Sequence, residues 1–279
     1  MTTATKPHIS DSAVVKKKPT ISRWIRPTFS PEHGVLLVLG GSFLTGAALA
    51  QQWTTTTTIA LIAAFFALQV EHPYVVQIKL RKNLKPRYLI WGGIYGAIAL
   101  SLAVWLWLQA STLIWIYVLA IVSLVADGLA VIQGKHKSRV NEIIGFAGIC
   151  LAAPLAYGAT TGSLSLEAIA LWILNTLFFS SAVYTIKLRR KKTAAFTPGI
   201  IYHGVATIII ATLYYFNYLS LVTALTFAIA LLKFITVLGF KNWYRRAKFH
   251  SVAIFETRFA LVYIAIVSIG LLPAHLPTH

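Results

Sequence analysis

The chain has 279 residues, 57% of them hydrophobic and 11% charged, with a mean hydropathy of +0.73; this balance excludes a water-soluble globular domain and requires lipid as the main solvent. Its formal charge of +18 does not signal a nucleic-acid partner, because the basic residues form short clusters between apolar runs, as loops beside an anionic leaflet do. The single cysteine, Cys150, lies inside an apolar run, so the chain can build neither a disulfide framework nor a cysteine metal site.

Residues 1 to 26 are polar, basic and interrupted by proline, which predicts a mobile cytoplasmic tail ahead of a polytopic helical domain over 27 to 279. Trp24 ends the tail as an interfacial anchor. No small-residue cleavage pattern follows the first apolar run, so that helix is expected to act as the insertion signal. Apolar runs near the ~20 residues that cross hydrocarbon predict about nine transmembrane helices. They fall at 34 to 50, 54 to 76, 88 to 109, 111 to 132, 141 to 159, 165 to 186, 199 to 216, 219 to 238 and 254 to 272. The fold class is therefore an all-α membrane bundle.

The connections alternate in character. Those at Gln51 to Thr58, Ala110 and Ser111, Gly158 to Leu166, and Asn217 to Ser220 carry no Lys or Arg, and Thr54 to Thr58 read as a turn entering a helix. The others carry Lys79 to Arg87, Lys135 to Arg139, Lys187 to Lys192 and Lys241 to Lys248, and with the tail they hold all but two of the 25 Lys and Arg. Basic loops stay cytoplasmic on insertion, so the N-terminus is expected inside and the C-terminus on the opposite side.

Ionisable groups inside a bilayer are costly enough to mark candidate sites. Five of the seven acids, Glu32, Glu71, Asp127, Glu142 and Glu256, map to the cytoplasmic ends of helices 1, 2, 4, 5 and 9. With them come His33, His72, His203 and His250, the amides Gln77, Asn141 and Asn175, and the cations Lys233 and Arg258. Glu142 suits a helix N-terminus next to Lys137 and Arg139, and Glu256 with Arg258 fits a structural pair as well as a site. Two segments go further: Pro31-Glu32-His33-Gly34 opens helix 1, and Glu71-His72-Pro73-Tyr74 lies near the inner end of helix 2. Pro73 is expected to break the helical ladder and free carbonyls that line a polar cavity. Glu32, His33, Glu71 and His72 are thus the candidate catalytic residues. Adjacent residues on a helix point ~100° apart, so one Glu-His pair cannot chelate an ion alone, and a metal at Glu71 and His72 would need the other pair.

Pro31-Glu32-His33-Gly34, Ser138-Arg139-Val140-Asn141-Glu142 and the run Phe178 to Lys192 resemble the YwiC-like family of bacterial membrane proteins over most of residues 27 to 270. That family is similar, distantly, to the UbiA-type prenyltransferases, which implies a nine-helix bundle with a cytoplasmic pocket and Mg²⁺ held by two aspartate-rich motifs. Here the corresponding stretches read Glu71 to Lys79, with one acid, and Tyr184 to Arg189, with none. Standard two-site Mg²⁺ chemistry is therefore not expected, and a basic rim of Lys79, Arg81, Lys187, Arg189 and Arg190 is left to hold phosphate oxygens.

The leading expectation is a cytoplasm-facing pocket that binds or modifies an isoprenoid, a quinone or another amphipathic membrane lipid. Candidate ligand contacts are Lys79, Arg81, Asp127, Asn141, Glu142, Tyr184, Lys187, Arg189, His203, Lys233, Glu256 and Arg258. A small transporter would need a polar path through the outer half, where few ionisable groups lie. A non-catalytic scaffold would present the tryptophans of helices 3 and 4, Trp91, Trp105, Trp107 and Trp115, which are also what an interfacial belt requires.

Overall fold

The computed structural model describes residues 27–29, 33–80, 85–189 and 195–271. The predicted tail and the candidates Glu32, Arg81 and Arg190 lie outside these residues, as does the side chain of His33.

Helix α1 runs over His33–Ala50, α2 over Thr55–Leu80 and α3 over Pro86–Gln109. A single 3-10 turn, Ser111–Leu113, leads into α4, Ile114–Ile132. Then come α5 (Arg139–Cys150), α6 (Ala152–Thr161), α7 (Leu166–Lys187), α8 (Thr197–Tyr215), α9 (Leu221–Leu225), α10 (Ala228–Gly239), α11 (Lys241–Arg246) and α12 (Phe249–Gly270). Counting α5 with α6 and α9 with α10 as single spans, eight segments are long and apolar enough to cross a membrane, and α1 is a shorter apolar helix. The chain is a multi-pass membrane protein. At 1.5 Å per residue α1 reaches about 27 Å, just short of the ~30 Å of a hydrocarbon layer.

Side chains satisfy backbone N–H groups at several helix starts. The threonine run forms a reciprocal cap on α2: Thr57 N donates to Thr54 Oγ1 at 3.2 Å and Thr54 N donates to Thr57 Oγ1 at 3.1 Å. Ser138, Ser165 and Ser220 cap α5, α7 and α9 in the same manner, each accepting a backbone N–H at 3.2 Å.

The two prolines inside spans act differently. Pro154 cannot donate to the Cys150 carbonyl and crowds it, and the helix is interrupted at Leu151 between α5 and α6. Pro73, expected to break α2, does not: α2 continues through it to Leu80, and the buried ring packs beside Gly92 of α3. The close α2–α3 packing holds the helix on its course past the missing N–H.

The buried core forms two large clusters that meet at α1. Leu39, Phe43 and Ala47 of α1 pack with α2, the start of α4 and α6, whereas Val38 belongs to the cluster of α7, α8, α10 and α12. α1 and α6 touch backbone to backbone at Gly46, where an added Cβ would lie 2.0 Å from the Ala153 carbonyl oxygen. On the other side Asn175 ties α7 to α1 and α12: its Nδ2 donates to Thr45 Oγ1 at 2.9 Å and its Oδ1 accepts from the Tyr263 hydroxyl at 2.7 Å. Tyr263 stacks on Phe178 with ring centroids 3.6 Å apart. Asn175, expected at the basic end, is thus a mid-span residue of α7, about 18 Å along the helix from Lys187.

Candidate functional site

α3 and α4 are neighbours in sequence, yet they pack closely only around the Ala110 turn, while α2 packs along α3 and α5 along α4. The two helices therefore diverge towards the end of the bundle that carries the basic loops. The wedge between them, floored by α2, α5 and α6, is a cavity of about 550 Å³, within the range of small-molecule sites.

Small side chains keep the wedge open. Ala63, Ala67, Ala99, Ala103, Ala120 and Gly145 line it, and a Cβ placed on Gly145 would meet nothing within 4 Å. Its wall is otherwise aliphatic and aromatic, down to Trp107 and Ile114 at the turn. The only charged residues lining it are two acids, Glu71 of α2 and Asp127 of α4, with no Lys or Arg among the described lining residues. Both acids lie towards the basic end, beside the contact in which the Tyr74 hydroxyl approaches Gly128. His72 does not line the cavity, as the ~100° step between adjacent helical residues requires. At the opposite end the Tyr117 hydroxyl is buried and has no hydrogen-bond partner among the described residues.

Asp127 is anchored from α5. Asn141 Nδ2 donates to Asp127 Oδ1 at 2.6 Å and to the His136 carbonyl at 3.2 Å, and among the described residues nothing donates to Asp127 Oδ2. The next residue, Glu142, turns to α7, where it forms an ion pair with Lys187 Nζ at 2.7 Å; Lys187 also donates to the Lys137 carbonyl at 2.9 Å. Lys187, expected on an open phosphate-binding rim, is instead 7% exposed and engaged. Arg189 likewise donates to the Ala247 carbonyl, fastening α7 to the loop before α12.

A second polar array lies in the other core. Lys233 of α10 forms an ion pair with Glu256 Oε2 of α12 at 2.9 Å, and its ammonium stands 5.5 Å from the Phe178 ring centroid. Glu256 Oε1 accepts from Thr185 at 2.7 Å and from Tyr244 at 2.8 Å. Burial, then the adjacent carboxylate, pushes the Tyr244 phenol well above the usual tyrosine range, so it remains a donor. Glu256 therefore pairs with Lys233 rather than Arg258, which is exposed. Residues two apart on a helix point ~200° apart, so with Glu256 turned to Lys233, Arg258 of the same helix α12 faces outward.

His203 is 3% exposed, donates Nδ1–H to the Gly199 carbonyl at 2.7 Å and stacks on Phe234 with centroids 4.2 Å apart. Its Nε2 is buried with no hydrogen-bond partner among the described residues. Tyr184 stacks on Tyr202 at 4.4 Å, and Lys79 is exposed in the last turn of α2.

The four described acids of the five grouped by the sequence at one depth are thus divided among three settings: Glu71 and Asp127 on the wedge, Glu142 on Lys187, and Glu256 on Lys233. Among the described residues no group of three or more His, Cys, Asp or Glu side chains could hold a metal ion. The second Glu-His pair that a metal at Glu71 and His72 would need, Glu32 and His33, lies outside the described side chains. Sequence reasoning missed Thr185 and Tyr244 as partners of Glu256; Tyr244, amid the basic run Lys241 to Lys248, carries no signal that it turns inward.

No curated protein and no solved structure matches the chain. One family model does, described as YwiC-like protein, over residues 29–157. The matched segment contains α1 to α5, most of α6 and every residue lining the wedge. It stops short of Phe178 to Lys192, so the likeness covers less of the chain than the sequence suggested. The match falls where Pro31 to Gly34 and Ser138 to Glu142 lie, and over residues 29–157 the chain is similar to the YwiC-like family model.

Proposed function

We propose that the protein binds an amphipathic membrane lipid of the isoprenoid or quinone class, its chain in the wedge between α3 and α4 and its head near Glu71 and Asp127. One observation carries the reading: an apolar cavity of about 550 Å³ with carboxylates at one end only. Such a shape suits a molecule with one polar end and a long apolar body. The divergence of α3 from α4 offers entry from the bilayer. The basic loops favour a cytoplasmic location for the head end. The distant UbiA-type likeness agrees with a lipid ligand without supplying a reaction.

Purified protein should retain a co-extracted isoprenoid lipid detectable by mass spectrometry. Gly145→Leu, which projects a side chain into open space, should expel that lipid while the protein stays folded. An identical lipid complement in the wild type and the filled variant would refute the proposal.

A further inference from the structure

We infer that the joined ends of α7 and α11 form a binding site for the phosphate of an anionic membrane lipid, with Arg189 and Arg245 as its recognition groups. Neither arginine lines the wedge, so the inference goes beyond the lipid reading above.

The two arginines are locked across one another. Arg189, just past the end of the α7 span, donates from its guanidinium to the Ala247 carbonyl, and Arg245 of α11 donates from Nε to the Leu188 carbonyl at 3.0 Å. Each guanidinium therefore lies against the segment that carries the other. Tyr244 fixes this strap to the bundle, being 1% exposed and donating to Glu256 Oε1. A guanidinium has five N–H donors. One donor of each is engaged by a carbonyl among the described residues, and the rest are left for an external acceptor.

The local charge has the sign that a phosphate requires. Lys241, Arg246 and Lys248 join the two arginines to make five cations, and the link 240–248 holds no acid. Of the described acids, Glu71 and Asp127 line the wedge, Glu167 lies at the far end of α7, and Glu142 and Glu256 pair with Lys187 and Lys233. Asp11 and Glu32, the two acids outside the described residues, can offset two of the five cations at most. An excess of positive charge remains, and phosphate oxygens accept from guanidiniums in a planar fork.

The position selects a lipid over a soluble phosphate ester. The link joins two spans, Leu221–Gly239 and Phe249–Gly270, and Leu188 follows a third, Leu166–Lys187, so the arginines stand at headgroup level. Phe240, Trp243 and Phe249 are 65%, 51% and 74% exposed in and beside the link. Aromatic rings at that depth insert among the upper acyl carbons, while basic groups reach the headgroup.

The test is native mass spectrometry of the full-length protein with phosphatidylglycerol and phosphatidylcholine of identical acyl chains, and with inorganic phosphate as competitor. Phosphatidylglycerol should bind at least fivefold more tightly than phosphatidylcholine, and excess inorganic phosphate should not displace it. Arg189→Gln/Arg245→Gln should reduce that preference at least threefold. Lys135→Gln/Lys137→Gln, which removes the same charge from two exposed positions of another basic loop, should leave it within twofold. Arg189→Lys/Arg245→Lys keeps the charge and a donor for each carbonyl, which guards against a folding failure, and should lose at least twofold through the missing forks. Equal losses in the two Gln variants would reduce the effect to net charge and overturn the site. An unchanged preference in either arginine variant would do the same. Displacement by inorganic phosphate would overturn the assignment to a lipid.

Discussion

Glu256→Gln is expected to destabilise the protein more than Lys233→Met, although the two residues form one ion pair. Removing one partner of a buried pair costs about 3–5 kcal/mol, because the survivor is left charged and uncompensated. The survivors differ. Without Glu256, the Lys233 ammonium, with a side chain only 3% exposed, has no anion within reach among the described residues. Without Lys233, the Glu256 carboxylate keeps the hydroxyl donors Thr185 and Tyr244 and is 14% exposed. Hydrogen bonds to a charged group contribute about 1.5–3 kcal/mol each, so the loss for Lys233→Met should be about half that for Glu256→Gln. The double variant Lys233→Met/Glu256→Gln should be at least about 2 kcal/mol more stable than the sum of the single losses predicts, since no charge remains buried alone. Unfolding in mixed micelles of increasing dodecyl sulfate content, followed by tryptophan fluorescence, measures all four proteins. A Lys233→Met loss equal to or above that of Glu256→Gln, or additivity within about 0.5 kcal/mol, would refute the reasoning.

Gly46→Ala should cost about 1–3 kcal/mol by forcing α1 away from the Ala153 backbone; Gly40→Ala, with nothing within 4 Å, should be near neutral in the same assay. Asn175→Ala, which leaves Tyr263 and Thr45 without their shared partner, should cost about 1–3 kcal/mol. Tyr244→Phe should lose stability at neutral pH, and its deficit should narrow in alkali. The raised folded-state pKa gives a contribution that is full below the ordinary value of about 10 and is lost as pH rises beyond it; a constant gap between the two proteins from pH 8 to 11 would contradict this. Orientation can be read with an impermeant maleimide. A cysteine at Ser163 should label in intact cells and one at Lys135 only after permeabilisation, both sites being exposed and the native Cys150 fully buried.

The bundle was legible because its signals are long and redundant. Spans of twenty apolar residues and basic loops between them leave little freedom, and the eight long segments and α1 fall within a few residues of their expected places. Local chemistry was legible too, as with Ser138 ahead of Asn141 and Glu142. What could not be read was the partner of each polar residue. Glu256 and Lys233 are 23 residues apart, and Lys187 and Glu142 are 45 apart; only the packing of α12 against α10 and of α7 against α5 decides which acid meets which cation. The wedge was hidden for the same reason. Alanine and glycine on five helices do not announce a cavity, because small residues equally serve close packing, as Gly46 does against Ala153.

The manner in which Glu256 is held also orders the protein's birth. Thr185, Lys233 and Tyr244 all leave the ribosome before the helix that bears the carboxylate, so α10 enters the bilayer carrying a cation whose counter-charge has not yet been made. Until α12 arrives, the Lys233 ammonium lacks the carboxylate with which it pairs in the folded bundle. α12 thus completes the ion pair that α10 leaves open, and a protein truncated before Glu256 should be short-lived however well its first half is assembled.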